Sequence, residues 1–248
     1  MKNYIKEKLK TISGYNSLVN YILAILREQT RNKEILALEA IRNLSPKNIY
    51  APTTTWSMTA GAINLLLNDV VINNRKMVVE FGPGISTFYI AKLIKKNNLE
   101  TKYISVESNY EWYRLMLRQL ELEEISNYVS LEYVPLLESP FQFKEHNTWY
   151  NTEILHKLIL SEIDLVIVDA PPGINKYSRF GAIPFIKDML ADDYTILLDD
   201  TNRIEEMEIV LEWKSLLKCQ VQHFDYFSVL RSGGNFDVTP FSLRHFSK

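Results

Sequence analysis

The chain has 248 residues, 46% hydrophobic and 23% charged, with a formal net charge of −2. That is enough sequence to bury a sizeable core in one large domain, and so even a charge balance gives no electrostatic case for a nucleic-acid or membrane partner. No run approaches the roughly 18 apolar residues of a membrane span. The opening "MKNYIKEKLK" lacks an apolar core and cleavage site, and the one cysteine, Cys219, excludes an internal disulfide and reads as a core residue. A cytoplasmic protein with a small-molecule or glycan partner is the expectation.

The first fifty residues read as helix. Leu18, Ile22, Ile25 and Leu26, then Ile35, Leu38, Ile41 and Leu44, recur at helical spacing until Ser45 and Pro46 stop the pattern. Residues 1–54 are taken as a helical extension and 55–248 as the main domain. Thr55 or Ser57 is placed to cap a further helix through Met58, Ile63, Leu66 and Val70. From residue 76 strands and helices alternate, which implies parallel pairing through helical crossovers. "KMVVEF", "KYISVE", "YVSLEYV", "IDLVIVD" and "YTILLDD" are five strands, the first of them almost wholly apolar as in a strand buried on both faces. Ser108 with Glu111 has the pattern of a capping box opening the helix after the second strand. Residues 136–150 read as a loop rich in aromatic and polar groups, and Ile186 and Leu190 as part of a helix. "CQVQHFDYFSVLRSG" reads as a C-terminal antiparallel hairpin on the sheet edge.

Ligands of open parallel sheets bind outside the carboxyl ends of the strands. Here those ends carry Glu80, Glu107, Asp169, Asp199 and Asp200. In "VVEFGPGIST", residues 78–87, Gly82 and Gly84 permit a tight turn that a ligand can approach, and the following helix offers its N-terminus to negative charge. Glu107, 25 residues beyond Gly82, suits the two hydroxyls of a ribose. In the plainer alternative the glycines only turn the chain and Glu107 caps its helix. A dinucleotide fingerprint would need a third glycine where Thr87 stands, and no Gly-Lys-Ser/Thr follows for a P-loop. Glu80 would repel a pyrophosphate and suits an ammonium group. His146, His156, His223 and His245 are scattered, with no metal-ligand spacing.

Taken in order, "VVEFGPGIST", "YISVE", "LVIVDAPPG" and "TILLDD" resemble class I S-adenosylmethionine-dependent methyltransferases, over about residues 55–232. The resemblance is nearest to a bacterial branch with a "VDGPPG" sequence after the fourth strand, here "VDAPPG". It implies a three-layer α/β, Rossmann-like fold with a seven-stranded, mostly parallel sheet. It also implies that Glu80, Phe81, Gly82, Pro83 and Gly84 hold the methionine part of S-adenosylmethionine, with Ser86 and Thr87 near its carboxylate. Glu107 would bind the ribose, Ser108 and Val134 to Leu136 the adenine, and Asp169 would lie nearest the sulfonium and the acceptor. By similarity to catechol-type O-methyltransferases, Asp169, Asp199 and Asp200 are candidate Mg²⁺ ligands and Lys176 a candidate base. Helix capping explains Asp199 and Asp200 equally well, and Lys176 and Arg179 read either as an anion site or as solvated surface. Phe141, Phe143, Trp149 and Tyr150 would either stack on an acceptor or pack into the core. The implied activity is O-methylation of a small molecule or saccharide; a homodimer is one option for assembly, which the sequence does not decide. The alternatives are aminopropyl transfer on the same fold, or a catalytically silent cofactor-binding module.

Overall fold

The structure is a computed structural model, and it describes residues 15–173 and 175–244. The helical reading of residues 1–14 and the position of His245 lie outside the described residues. Helix α1 (Tyr15–Ile41) continues into a 3₁₀ turn at Arg42–Leu44. Only its C-terminal part reaches the core, through Ala37, Ile41 and Leu44, while Leu18, Ile22, Ile25 and Leu26 of the same apolar pattern are exposed.

Helix α2 (Ala60–Ile72) begins later than the sequence suggested, and its cap is Thr59 rather than Thr55 or Ser57. Two acceptors meet its first N–H groups: Thr59 Oγ1 takes Ala62 N at 3.3 Å, and the Glu34 carboxylate of α1 takes Ala60 N at 2.8 Å and Gly61 N at 3.3 Å. A carboxylate at a helix N-terminus satisfies unpaired donors and complements the dipole. This contact docks α1 on the domain.

The alternating part runs β1 (Met77–Phe81), α3 (Ile85–Asn97), β2 (Lys102–Glu107), α4 (Tyr110–Leu122), β3 (Ser130–Tyr133), β4 (Leu136–Phe143), β5 (His146–Tyr150), α5 (Thr152–Leu158) and β6 (Ile163–Val168). It continues with α6 (Ala182–Ile186), β7 (Leu190–Leu198), α7 (Ile204–Leu217), β8 (Gln220–His223) and β9 (Ser228–Ser232). Seven strands form one sheet in the order β3-β2-β1-β6-β7-β9-β8. β3, β2, β1, β6 and β7 pair in parallel, and β9 is antiparallel to both β7 and β8.

The expected three layers are present, with a core on each face of the sheet. Successive strand residues point to opposite faces. Val78, Leu165, Ile167 and Leu197 therefore join α2, α3 and α4, whereas Val79, Phe81, Val166, Val168, Ile196 and Leu198 join α5, α6 and α7. Cys219 is partly buried against the second of these cores. His223 sits on the edge strand β8 with Nδ1 2.9 Å from Ser228 Oγ.

Three local expectations are corrected. Residues 136–150 are a two-stranded antiparallel hairpin, β4 with β5, turning at Lys144 and Glu145. Lys144 adopts φ 52°, a conformation that glycine or asparagine would have signalled and lysine does not. The cap of α4 is Asn109, whose side chain accepts from Trp112 N at 3.0 Å, because Ser108 is turned toward Glu107. Leu190 opens β7 rather than ending a helix.

Candidate active site

β1 and β6 are neighbours from which the chain winds away in opposite directions, toward β2 and β3 on one side and β7 on the other. Such a switch point opens a crevice at the carboxyl ends of the strands. The ends of β2, β1, β6 and β7 bring Glu107, the Gly82 turn, Asp169, and Asp199 with Asp200 into one row.

The turn itself is built by Glu80. Its carboxylate is fully buried and accepts four hydroxyl hydrogen bonds: Ser86 at 2.6 Å, Thr87 at 2.7 Å, Tyr103 at 2.7 Å and Ser105 at 2.6 Å. Burial pushes the Glu80 pKa up and the hydroxyls pull it back. Glu80 thus braces β1, β2 and the start of α3 from beneath, where the sequence suggested contact with an ammonium group. Ser86 and Thr87 are committed in the same way, since Thr87 Oγ1 also accepts from Gly84 N at 2.9 Å. What faces outward there is backbone, at a helix end whose first N–H groups lack intrahelical partners.

The two glycines differ. Gly82 has φ +97°, and a Cβ on it would lie 2.5 Å from the Ala170 Cβ. At Gly84 nothing lies within 4 Å of where a Cβ would stand. Gly82 lets β1 close against the loop after β6, and Gly84 leaves open space over the turn. Phe81 contributes backbone to that junction: its carbonyl accepts from Asp169 N and Ala170 N, both at 2.9 Å. Its ring is buried against Trp149 at 5.1 Å and Tyr150 at 5.6 Å. Pro83 O is held by Trp112 Nε1 at 2.8 Å.

Glu107 is 6% exposed, and burial raises its pKa. Oε1 accepts from Asn109 N at 2.6 Å and lies 3.4 Å from Ser108 Oγ, and neither of these contacts uses Oε2. Of the two oxygens, Oε2 is the one suited to a ligand hydroxyl. The hairpin aromatics pack inward: Phe143 stacks on Phe180 at 4.5 Å, Phe141 meets Phe185 at 6.2 Å, and Trp149 and Tyr150 are buried. Of these, Tyr150 lies close enough to Glu107 and Asp169 for both charges to raise its pKa, after burial.

Asp169, Asp199 and Asp200 do converge, with one oxygen from each lying within 4.8 Å of the others. Arg179 joins them. Its Nη2 donates to Asp169 Oδ1 at 3.1 Å and Asp200 Oδ2 at 2.9 Å, and its Nη1 to the Asp199 carbonyl at 3.0 Å. With 3% side-chain exposure it is no solvated surface residue. Burial and the neighbouring acids push Asp169 well above the usual carboxylate range and Asp199 up to about 7, against the lowering pull of Arg179. Three carboxylates are a suitable donor set for Mg²⁺. Two of them, however, already hold a buried guanidinium, so the residues as arranged do not fit a resident divalent ion.

Lys176 is 63% exposed and bonded to Glu205 at 3.0 Å, which raises its pKa. That shift opposes a role as general base near neutral pH. The buried cation at the acidic cluster is Arg179, three residues further on, with the more exposed Arg203 also on Asp200. Arg179 was read from sequence only as an anion site or solvated surface, and Trp112, Tyr103 and Ser105 are contributors that sequence patterns did not single out. The one available signal was two hydroxyls at period two, Tyr103 and Ser105, on a strand otherwise buried and apolar. A cavity of about 710 Å³ lies elsewhere: it opens between Met77, Lys102, Ser130 and Leu160 at the opposite end of the sheet.

No protein-family model matches the chain, and no curated protein does. Solved structures do. The O-methyltransferase TomG from Streptomyces achromogenes, in complex with SAM, is 12% identical with a TM-score of 0.52, over 82% of this chain and 90% of that one. The SAH-bound methyltransferase PaMTH1 from Podospora anserina is 15% identical with a TM-score of 0.52, over 87% and 96%. At such identities the likeness establishes the fold, which is the Rossmann-like methyltransferase fold. No helix among the described residues is long and apolar enough to cross a membrane.

Proposed function

We propose that this chain is an S-adenosylmethionine-dependent methyltransferase whose acceptor is a hydroxyl of a small molecule or saccharide, with residues 55–248 as the cofactor-binding domain. The observation that carries this reading is the pair of features at adjacent strand ends: open space over Gly84 and the buried Glu107 carboxylate, whose bond with Asn109 N uses Oε1. Glu107 accepts the ribose hydroxyls, with Ser108 beside the adenine. Gly82, Pro83 and Gly84 supply backbone to the methionine end, and the start of α3 faces its carboxylate. Glu80, Ser86 and Thr87 hold that backbone in shape.

Bound there, S-adenosylmethionine supplies a methyl group on a sulfonium, and the protein's task is to align an acceptor oxygen in line with it. Asp169 is the carboxylate that adjoins this end, since its N–H is bonded to Phe81 O. It is the group assigned to the acceptor hydroxyl, whose proton must leave as the new bond forms; a carboxylate with a raised pKa is suited to take it. Lys176 stands at the rim, engaged by Glu205.

Calorimetry with S-adenosylhomocysteine tests the reading. The unaltered protein is expected to bind, and Glu107→Ala to bind roughly tenfold or more weakly, as for loss of a charged hydrogen-bond acceptor. Absence of binding to the unaltered protein would sink the proposal.

A further inference from the structure

We infer that Arg179 is the resident cation of the acidic edge, so that this chain works without a bound divalent ion, and that removing its guanidinium would turn Asp169, Asp199 and Asp200 into a divalent-cation site. This concerns the site of the proposed methyl transfer, but cation binding is read separately from that reaction.

The argument is geometric. The three carboxylates offer ligand atoms within 4.8 Å of one another, a suitable spacing for a small hard cation. One nitrogen already bridges two of them, because Arg179 Nη2 lies 3.1 Å from Asp169 Oδ1 and 2.9 Å from Asp200 Oδ2. Asp200 Oδ2 also takes Arg203 Nη1 at 3.0 Å. A divalent ion bound to those same oxygens at about 2.1 Å would sit directly against positive charge.

Arg179 is also fastened. Nη1 donates to the Asp199 carbonyl at 3.0 Å and Nε to the Pro171 carbonyl at 3.4 Å. The preceding residue is anchored too, since Ser178 Oγ donates to the Pro171 and Pro172 carbonyls, each at 3.1 Å. Swinging the guanidinium aside would break bonds to two backbone carbonyls as well as two carboxylates. Nor can it yield by deprotonation, as a lysine could, because arginine stays charged in proteins. Arg179 is in this sense a positioning residue: it sets where the Asp169 and Asp200 carboxylates stand and how much negative charge the edge presents.

The test is titration with Mn²⁺, followed by electron paramagnetic resonance, of metal-stripped unaltered protein and of Arg179→Met. The unaltered protein is expected to bind no stoichiometric Mn²⁺ at millimolar concentration. Arg179→Met should bind one equivalent at least about tenfold more tightly, and adding Asp200→Asn should abolish the gain. One-to-one Mn²⁺ binding by the unaltered protein that Asp200→Asn removes would overturn the inference, as would a folded Arg179→Met that gains nothing. Should circular dichroism show that Arg179→Met does not fold, the titration of the unaltered protein decides by itself. S-adenosylhomocysteine binding in the same samples reports on the methyltransferase reading independently, so either idea can fail while the other stands.

Discussion

The indole N–H of Trp112 donates a 2.8 Å hydrogen bond to the carbonyl of Pro83, joining the first turn of α4 to the glycine turn after β1. The start of the helix that follows β2 and the turn that follows β1 are thereby held together, close in sequence to Glu107 and to Gly84. Trp112→Phe keeps the ring and loses only the donor. S-adenosylhomocysteine affinity is expected to fall roughly fivefold, the worth of about one net hydrogen bond. Unchanged calorimetric affinity would show that the site does not depend on this bond.

The two glycines should separate folding from binding. Gly82→Ala places a methyl group 2.5 Å from the Ala170 Cβ at φ +97°, and should cost on the order of 1–3 kcal/mol from backbone strain alone. Gly84→Ala meets nothing within 4 Å and should melt close to the unaltered protein, yet bind S-adenosylhomocysteine weakly because its methyl enters the cradle. Thermal melts beside calorimetry check the split. Normal binding by folded Gly84→Ala would place the ligand elsewhere.

Four hydroxyls converge on the buried Glu80 carboxylate. Removing one leaves a buried charge short of a donor, so Tyr103→Phe and Ser105→Ala are each expected to lower stability by about 1–3 kcal/mol. Urea unfolding measures this. Neutral effects in both variants would mean that Glu80 is not held by these bonds.

Asp199 has a pH signature. Burial and Asp200 raise its folded pKa to about 7 from an ordinary 3.8. Between those values the folded chain binds more protons than the unfolded chain, so its contribution to stability is complete below about pH 4, falls as pH rises and is gone above about pH 7. Asp169 shifts in the same direction for similar causes. Asp199→Asn should therefore flatten the decline in melting temperature between pH 5 and 8, by a few degrees at the alkaline end as for roughly 1 kcal/mol. An unchanged slope would refute the assignment.

Local pattern in the sequence determined the architecture and the row of candidate groups. Runs such as "VVEF" and "LVIVD" could only be strands buried on both faces, and the acids that end them fall on one edge in any parallel sheet. The glycines of residues 82 and 84 marked the turn for the same local reason. Where each side chain ends up was decided by register and long-range packing. Pairing of β1 with β2 sets Glu80 opposite Ser105, 25 residues away, and turned an expected ligand contact into an internal brace. The hairpin at 136–150 turns on a lysine with positive φ, which no residue pattern announces. Arg179 and Lys176 sit three residues apart in one polar stretch, and their composition cannot rank them. Only the fold of the loop after Pro171 and Pro172 buries one guanidinium among three carboxylates and leaves the neighbouring amine to solvent.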